Sequence, residues 1–216
     1  MRGERLLTVA HRFGNSTAAL REALDSGVDL VEADVHLYRR TLEVRHHKVL
    51  TPWLLWDDGH VVARSRLAIP RLPDILAELH GDSRLLLDLK GVRPDFPSRL
   101  ARSLRECVPG TRLTVCSRHW WMLPPLLPQA DGILSAGSHR ELTRLRRRLA
   151  VSRAHGVAVR LDLLTADVVE ELGRSTDRVL TWPVDTPAAL DRARFLGVDA
   201  VISKNLDLLT GLLSTG

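Results

Sequence analysis

Short apolar runs recur along the chain at Leu6 to His11, Val28 to Val35, Arg84 to Lys90, Arg112 to Ser117, Gly132 to Ala136, Gly156 to Leu161, Arg178 to Pro183 and Val198 to Ser203. Each is strand-length and dense in Val, Ile and Leu on both faces, the pattern of a parallel strand covered from two sides. Between most of them apolar residues return every three or four positions, predicting helices over Ser16 to Asp25, Pro97 to Cys107, His139 to Ala154, Thr165 to Arg174 and Pro187 to Leu196. Ser16 or Thr17, Thr165 and the Thr186-Pro187 pair read as helix starts, and Gly27, Gly173 and Gly197 as stops.

Eight such β/α units favour closure into a single (β/α)8 TIM barrel, an α/β fold, over the alternative of an open doubly wound sheet. No interdomain linker or low-complexity tract interrupts residues 1–216, so one domain is expected. Thr41 to His46 reads as a short extra strand after the second barrel strand, and the stretch from Pro52 to Pro73 that follows it as a candidate active-site loop.

Composition adds limits. Hydrophobic residues at 44% and charged residues at 26% describe an ordinary globular chain rather than a disordered one. No apolar run is long enough to span a membrane, and Met1-Arg2-Gly3-Glu4-Arg5 leads into a strand-length run rather than a signal segment, so a cytoplasmic protein without stable membrane insertion is expected. Cys107 and Cys116 lie outside any metal-binding spacing and read as small core residues. The net charge of +5 permits nucleic-acid binding, but the densest cluster, Arg144, Arg146, Arg147 and Arg148, falls on a predicted amphipathic helix and reads as its solvated face. Neutralising those arginines tests the nucleic-acid alternative. The oligomeric state stays open.

In a parallel barrel the chemistry sits at the C-terminal ends of the strands. Those ends carry His11-Arg12, Glu32-Ala33-Asp34, Asp88-Leu89-Lys90 and Trp182. Glu32 and Asp34, two apart on a strand, point to one side, as do Asp88 and Lys90. Three carboxylates facing one low-dielectric space repel unless a cation or proton intervenes. Oxygen ligands without cysteine favour a hard divalent ion, Mg²⁺ or Ca²⁺; a structural ion network with Arg12 or Lys90 is the other reading. His11 and His46 suit acid and base chemistry near neutral pH, and Arg12 and Lys90 on the same rim point to a phosphoryl substrate. Leu42, Val44 and His46 share one strand face, Glu43, Arg45 and His47 the other; if the apolar face turns inward, His46 is the candidate rather than His47.

These residues, in this order, resemble the glycerophosphodiester phosphodiesterase family of metal-dependent barrel enzymes. Ala10-His11-Arg12 is similar to its His-Arg motif, Glu32-Ala33-Asp34-Val35 to its Glu-x-Asp pair, His46 to the histidine of the extra strand, Asp88-Leu89-Lys90 to its Glu-x-Lys motif, Val179-Leu180-Thr181-Trp182 to its tryptophan strand and Val198 to Ser203 to its final strand. The resemblance implies hydrolysis of a glycerophosphodiester, or a lysophospholipid, to sn-glycerol 3-phosphate and an alcohol. His11 and His46 would be catalytic, Glu32, Asp34 and Asp88 metal ligands, and Arg12, Lys90 and Trp182 substrate contacts. Departures are present: the family's Pro-Glu-Asn-Thr motif is reduced to Gly14-Asn15-Ser16-Thr17, its His-Asp to His46-His47, its Thr-x-Asp-Gly turn to Tyr38-Arg39-Arg40-Thr41, and the third motif's glutamate to Asp88. The shorter Asp88 fits a flexible Ca²⁺ shell better than a strict Mg²⁺ octahedron. The lost motif glutamate leaves open an alternative, a barrel that binds a phosphorylated ligand without turning it over.

Overall fold

The computed structural model describes residues 5–57 and 59–213; the reading made on Met1-Arg2-Gly3-Glu4 lies outside them. In chain order the elements are β1 (Leu7–Ala10), α1 (Thr17–Asp25), β2 (Leu30–Tyr38), β3 (Thr41–Val44), β4 (Lys48–Val49), β5 (Leu54–Asp57), β6 (His60–Ala63), α2 (Leu72–Ala77), β7 (Leu85–Lys90), α3 (Phe96–Cys107), β8 (Leu113–Ser117), β9 (Ala130–Ala136), α4 (His139–Leu149), β10 (Ala154–Arg160), α5 (Ala166–Gly173), β11 (Thr176–Trp182), α6 (Pro187–Leu196), β12 (Ala200–Ser203) and α7 (Leu206–Leu213). The parallel strands run β1-β12-β11-β10-β9-β8-β7-β2, and β1 pairs again with β2 through Val9↔Leu30 and Ala10↔Val31, closing the eight-stranded barrel. β3 hangs outside, antiparallel to the extended end of β2.

Alternation along each strand builds two cores. Val9, Leu86, Cys116, Ile133, Ala158, Leu180 and Ile202 fill the barrel interior, while their neighbours, such as Val31, Ala33, Leu85 and Leu87, pack outward under the helices. α4 illustrates how a helix is held. Leu142, Leu145 and Leu149 are buried at three- and four-residue spacing, and the Ser138 hydroxyl accepts from the Glu141 N–H to cap the first turn. Burying such leucines contributes about 2 kcal/mol each, and the cap about 1 kcal/mol. Arg144, Arg146, Arg147 and Arg148 form its exposed face as expected, with Arg146 paired to Glu171 and Arg144 stacked over Trp120.

Several details differ from the sequence expectation. The residues from Pro52 to Pro73 are not an open loop. β4, β5 and β6 form a separate three-stranded antiparallel sheet, and α2 starts at Leu72. α4 stops at Leu149 rather than Ala154, because Ala154 is taken by β10, where it pairs with Thr176. Ser16, not Thr17, caps α1. Gly27 and Gly197 adopt the left-handed conformation that terminates a helix, whereas Gly173 is simply the last helical residue of α5. Cys116 is buried but Cys107 is exposed at the end of α3, so only one cysteine belongs to the core. Between β8 and β9, where the sequence pattern gave no helix, the chain makes a 3-10 turn, Trp120–Met122.

Candidate active site

The site is built around β2. Its parallel register with β7 sets Asp34 beside Asp88 and His36 beside Lys90, so the side chains of two acidic motifs meet on the inner face at the C-terminal rim. One carboxylate oxygen from each of Glu32, Asp34 and Asp88 lies within 4.8 Å of the other two. Glu32 and Asp34 are buried, Asp88 half-buried.

The turn after β1 holds this cluster in place. Arg12 takes a left-handed conformation, φ 67°, which turns its backbone N–H onto Glu32 Oε2 at 2.7 Å. A non-glycine residue held in that region stores strain that surrounding contacts must offset. The next turn, Phe13–Asn15, lies directly on β2. A Cβ on Gly14 would stand 2.6 Å from Ala33 Cβ and 2.9 Å from the Glu32 carbonyl oxygen, so only glycine permits the approach. That approach lets Asn15 clamp Asp34: its amide donates to Oδ2 at 2.9 Å while its oxygen accepts from the Asp34 N–H at 2.8 Å.

Lys90 reaches into the cluster, 2.9 Å from Asp34 Oδ1 and in contact with Asp88 Oδ2. Both sequence readings of the carboxylates, ion network and cation site, thus have a structural counterpart. Burial and then the neighbouring Asp34 push the Glu32 carboxyl well above the ordinary range. For Asp34, burial acts upward but is outweighed by the Lys90 ammonium and the Asn15 amide, which hold it low. Lys90 is raised, since the three carboxylates overcome its desolvation. Lys90, together with Arg12 4.0 Å from Asp34 Oδ2, sets two cations against three acids, and Glu32 Oε1 is buried with no hydrogen-bond partner. An oxygen-preferring divalent cation fits both features.

The two candidate histidines occupy different environments. His11 Nε2 is 3.9 Å from Glu32 Oε2; burial above all, opposed by Asp34 and reinforced by Arg12 and Lys90, lowers its pKa to about 4, so it is a neutral imidazole at pH 7. His46 lies between Arg12 and Asp57: the guanidinium meets Nε2 and the carboxylate meets Nδ1. A guanidinium can only donate, so Nε2 accepts and the proton sits on Nδ1, facing Asp57. His47 reaches the other oxygen of Asp57 at 3.7 Å. Leu42 and Val44 are buried as the alternation argument supposed, but so are Glu43 and Arg45 on the opposite face. Arg45 donates to Glu43 at 3.0 Å, and Arg64 joins the same carboxylate, so paired charges bury where single ones would not.

His11, Arg12, Glu32, Asp34, His46, Asp88 and Lys90 therefore converge. Trp182 lies at the rim end of β11, its indole against Gly137. Three residues escaped the sequence reading. His36 continues the Glu32, Asp34 alternation and lines, with His46, Asp88 and Lys90, a groove of ≈ 580 Å³; burial first, then Arg45, lowers its pKa to about 3. Its signal was the same two-residue period. Asn15 sits inside a motif noted for what it had lost, and Asp57 lies on β5 where no local pattern marks it. A larger hollow, ≈ 700 Å³, lies beside Leu104, Val108 and Pro128, away from these groups.

No family model matches the sequence, and no curated protein matches it. Solved structures do. A protein from Silicibacter pomeroyi assigned as a glycerophosphoryl diester phosphodiesterase superposes with a TM-score of 0.80 at 19% identity, covering 99% of this chain and 95% of that one. A glycerophosphodiester phosphodiesterase from Thermotoga maritima gives 0.76 at 16% identity, covering 98% and 100%. An Oleispira antarctica phosphodiesterase in complex with the product sn-glycerol-3-phosphate gives 0.75 at 17%, covering 97% of each chain. Over nearly its whole length, the chain has the α/β barrel fold of these phosphodiesterases.

Proposed function

We propose that the chain belongs to the glycerophosphodiester phosphodiesterase family and hydrolyses a glycerophosphodiester to sn-glycerol 3-phosphate and an alcohol. The observation that carries the reading is the meeting of Glu32, Asp34 and Asp88 with His11 and His46 at one end of the barrel. The fold likeness to a phosphodiesterase holding sn-glycerol-3-phosphate supports the substrate class.

Glu32, Asp34 and Asp88 would hold a divalent cation, Ca²⁺ rather than Mg²⁺ because Asp88 is short and the Ca²⁺ shell is adaptable. When bound, such an ion would neutralise charge on the phosphate of the substrate. The protein's own groups divide the remaining work. His11, neutral and desolvated, accepts a proton from the attacking water or attacks phosphorus itself. His46, neutral while Nε2 accepts from Arg12, acts as the acid only after taking up a second proton there: as an imidazolium held by Asp57, with Arg12 turned to the phosphoryl oxygens, it donates from Nε2 to the departing alcohol oxygen as the P–O bond breaks. Arg12, beside both His46 and the carboxylates, stabilises the phosphoryl charge together with Lys90. Trp182 supplies an apolar wall for the glycerol carbons. Small glycerophosphodiesters and lysophospholipids are the expected substrates, and the cytoplasm the expected compartment; among the described residues no helix is long and apolar enough to cross a membrane.

The test is release of glycerol 3-phosphate from a panel of glycerophosphodiesters by purified protein, with Ca²⁺, with Mg²⁺ and with chelator. Ion-dependent release that His11→Ala and His46→Ala each depress by about 10²-fold or more is expected. Failure to hydrolyse any diester, with ligand binding retained in His11→Ala, would establish the non-catalytic binder instead.

A further inference from the structure

The small sheet between β3 and α2 exposes an unusual amount of apolar surface. Of the ten large hydrophobic side chains exposed among the described residues, five fall between Val49 and Val61, with Trp53 at 76%, Val61 at 58% and Leu50 at 53% exposed. They are not scattered. In the cross-strand register Lys48 stands beside Trp56 and Trp56 beside Val61, so these three share the outer face, while Leu55, pointing the other way, is fully buried. The turn joining β4 and β5 carries Leu50 and Trp53 at its tip and is closed by the Leu50 N–H donating to the Leu54 carbonyl at 3.0 Å.

Basic residues surround this tip. The Tyr38 hydroxyl donates to the Pro52 carbonyl at 3.2 Å, tying the β2–β3 turn and its exposed Arg39 and Arg40 to the tip. Arg39 and Arg64 both lie over the Tyr38 ring, and the Arg64 N–H donates to the Trp53 carbonyl at 2.8 Å. Lys48 lies over the Trp56 ring, 5.2 Å from its centre. Acid balances them only in part: residues 39–66 hold six Arg and Lys against three acids, Glu43, Asp57 and Asp58, and of these Glu43 is taken up by Arg45 and Arg64 and Asp57 by His46 and His47.

A tryptophan and aliphatic tip ringed by arginine and lysine is complementary to an anionic bilayer, where the indole settles among the headgroups and the cations meet lipid phosphates. A second copy of this chain is a poorer occupant, since pairing the tip with itself would set arginines against arginines. The sheet is also coupled to the catalytic rim: Asp57 of β5 holds His46, and Lys48 and Val49 line the groove that contains Asp88 and Lys90. We infer that the Lys48–Ala63 sheet docks the protein peripherally on anionic membrane surface and sets the mouth of the groove against the lipid headgroups. Docking goes beyond the proposed hydrolysis and does not depend on it.

The test is co-flotation of the full chain with vesicles of phosphatidylcholine alone and of phosphatidylcholine with about 30% phosphatidylglycerol. Binding to the anionic vesicles at least about tenfold stronger than to the neutral ones is expected, weakening with salt. The double variant Leu50→Ser with Trp53→Ser, whose sites are exposed and whose folding is to be checked by its melting temperature, should lose about tenfold in bound-to-free ratio. Arg39→Gln with Arg40→Gln should lose about fivefold or more. Neutralising Arg144, Arg147 and Arg148 on the distant helix α4 is the control and should leave binding unchanged. Equal binding by the Leu50/Trp53 variant, or loss only in the α4 variant, would overturn the inference in favour of general basicity. Equal affinity for neutral vesicles would overturn its anionic part, and a dimer abolished by Trp53→Ser would assign the tip to a second copy. All these readouts are independent of turnover, so an inactive protein that docks and an active one that does not are distinguishable.

Discussion

Replacing Lys90 by methionine removes the one ammonium that contacts both Asp34 and Asp88, leaving three carboxylates whose oxygens lie within 4.8 Å of one another. Breaking a buried ion pair from one side costs about 3–5 kcal/mol. The Lys90 side chain keeps 33% of its exposure, so water relieves part of this and about 2–3 kcal/mol is the reasonable expectation. In a chain of this size each kcal/mol shifts the melting temperature by about 2–4 °C, which makes the drop about 4–12 °C. The pH dependence has a definite sign. Glu32 is already raised by burial and by Asp34, and loss of Lys90 raises it further. Between the ordinary carboxylate range and the raised value the folded state binds more protons than the unfolded chain, so stability falls as pH rises through that window. The penalty is therefore largest at neutral and alkaline pH and fades toward about pH 4. Ca²⁺ at about 100 times its dissociation constant should restore about 2.7 kcal/mol. Thermal unfolding of both proteins, in chelator and in Ca²⁺ at several pH values, measures all three effects. A Lys90→Met protein that melts with the wild type in chelator at pH 8, or whose deficit ignores both pH and Ca²⁺, would refute the coupled carboxylate cluster.

Three further outcomes follow from the geometry. Gly14→Ala, whose Cβ would stand 2.6 Å from Ala33 Cβ, should cost about 1–3 kcal/mol in urea unfolding and lower activity more than stability alone explains, because the Asn15 clamp on Asp34 moves with it; wild-type stability would disprove the close approach. Asp57→Asn, which removes the carboxylate from His46 Nδ1, should reduce kcat by about 10²-fold while leaving the melting temperature within a few degrees; an unchanged kcat would place His46 outside proton transfer. A thiol reagent should modify exposed Cys107 in the folded protein and reach Cys116, whose pKa burial and then Asp88 push up, only on unfolding; mass spectrometry of the folded protein showing Cys116 labelled first would contradict the burial.

The chain's own pattern determined the barrel strands, because a strand covered on both sides must be apolar on both sides, and that run is local. It also determined that Glu32 and Asp34 share a face, and Asp88 and Lys90 another, since side-chain direction alternates every residue. His36 was equally legible by that rule. The insertion from Pro52 to Pro73 was not, because its strands are only two to four residues long and its outer face keeps apolar side chains such as Trp56 and Val61, so the alternation expected of a half-covered sheet does not show. Only the tertiary structure decided which carboxylates meet, through the lateral register of β2 on β7. It decided that His46 stands between Arg12 and Asp57, through an antiparallel sheet that brings residues 46 and 57 together. And it gave Gly14 its meaning, the close approach that lets Asn15 hold Asp34. Alternation is a property of one strand; register and close approach are properties of two, set by packing between segments far apart in the chain.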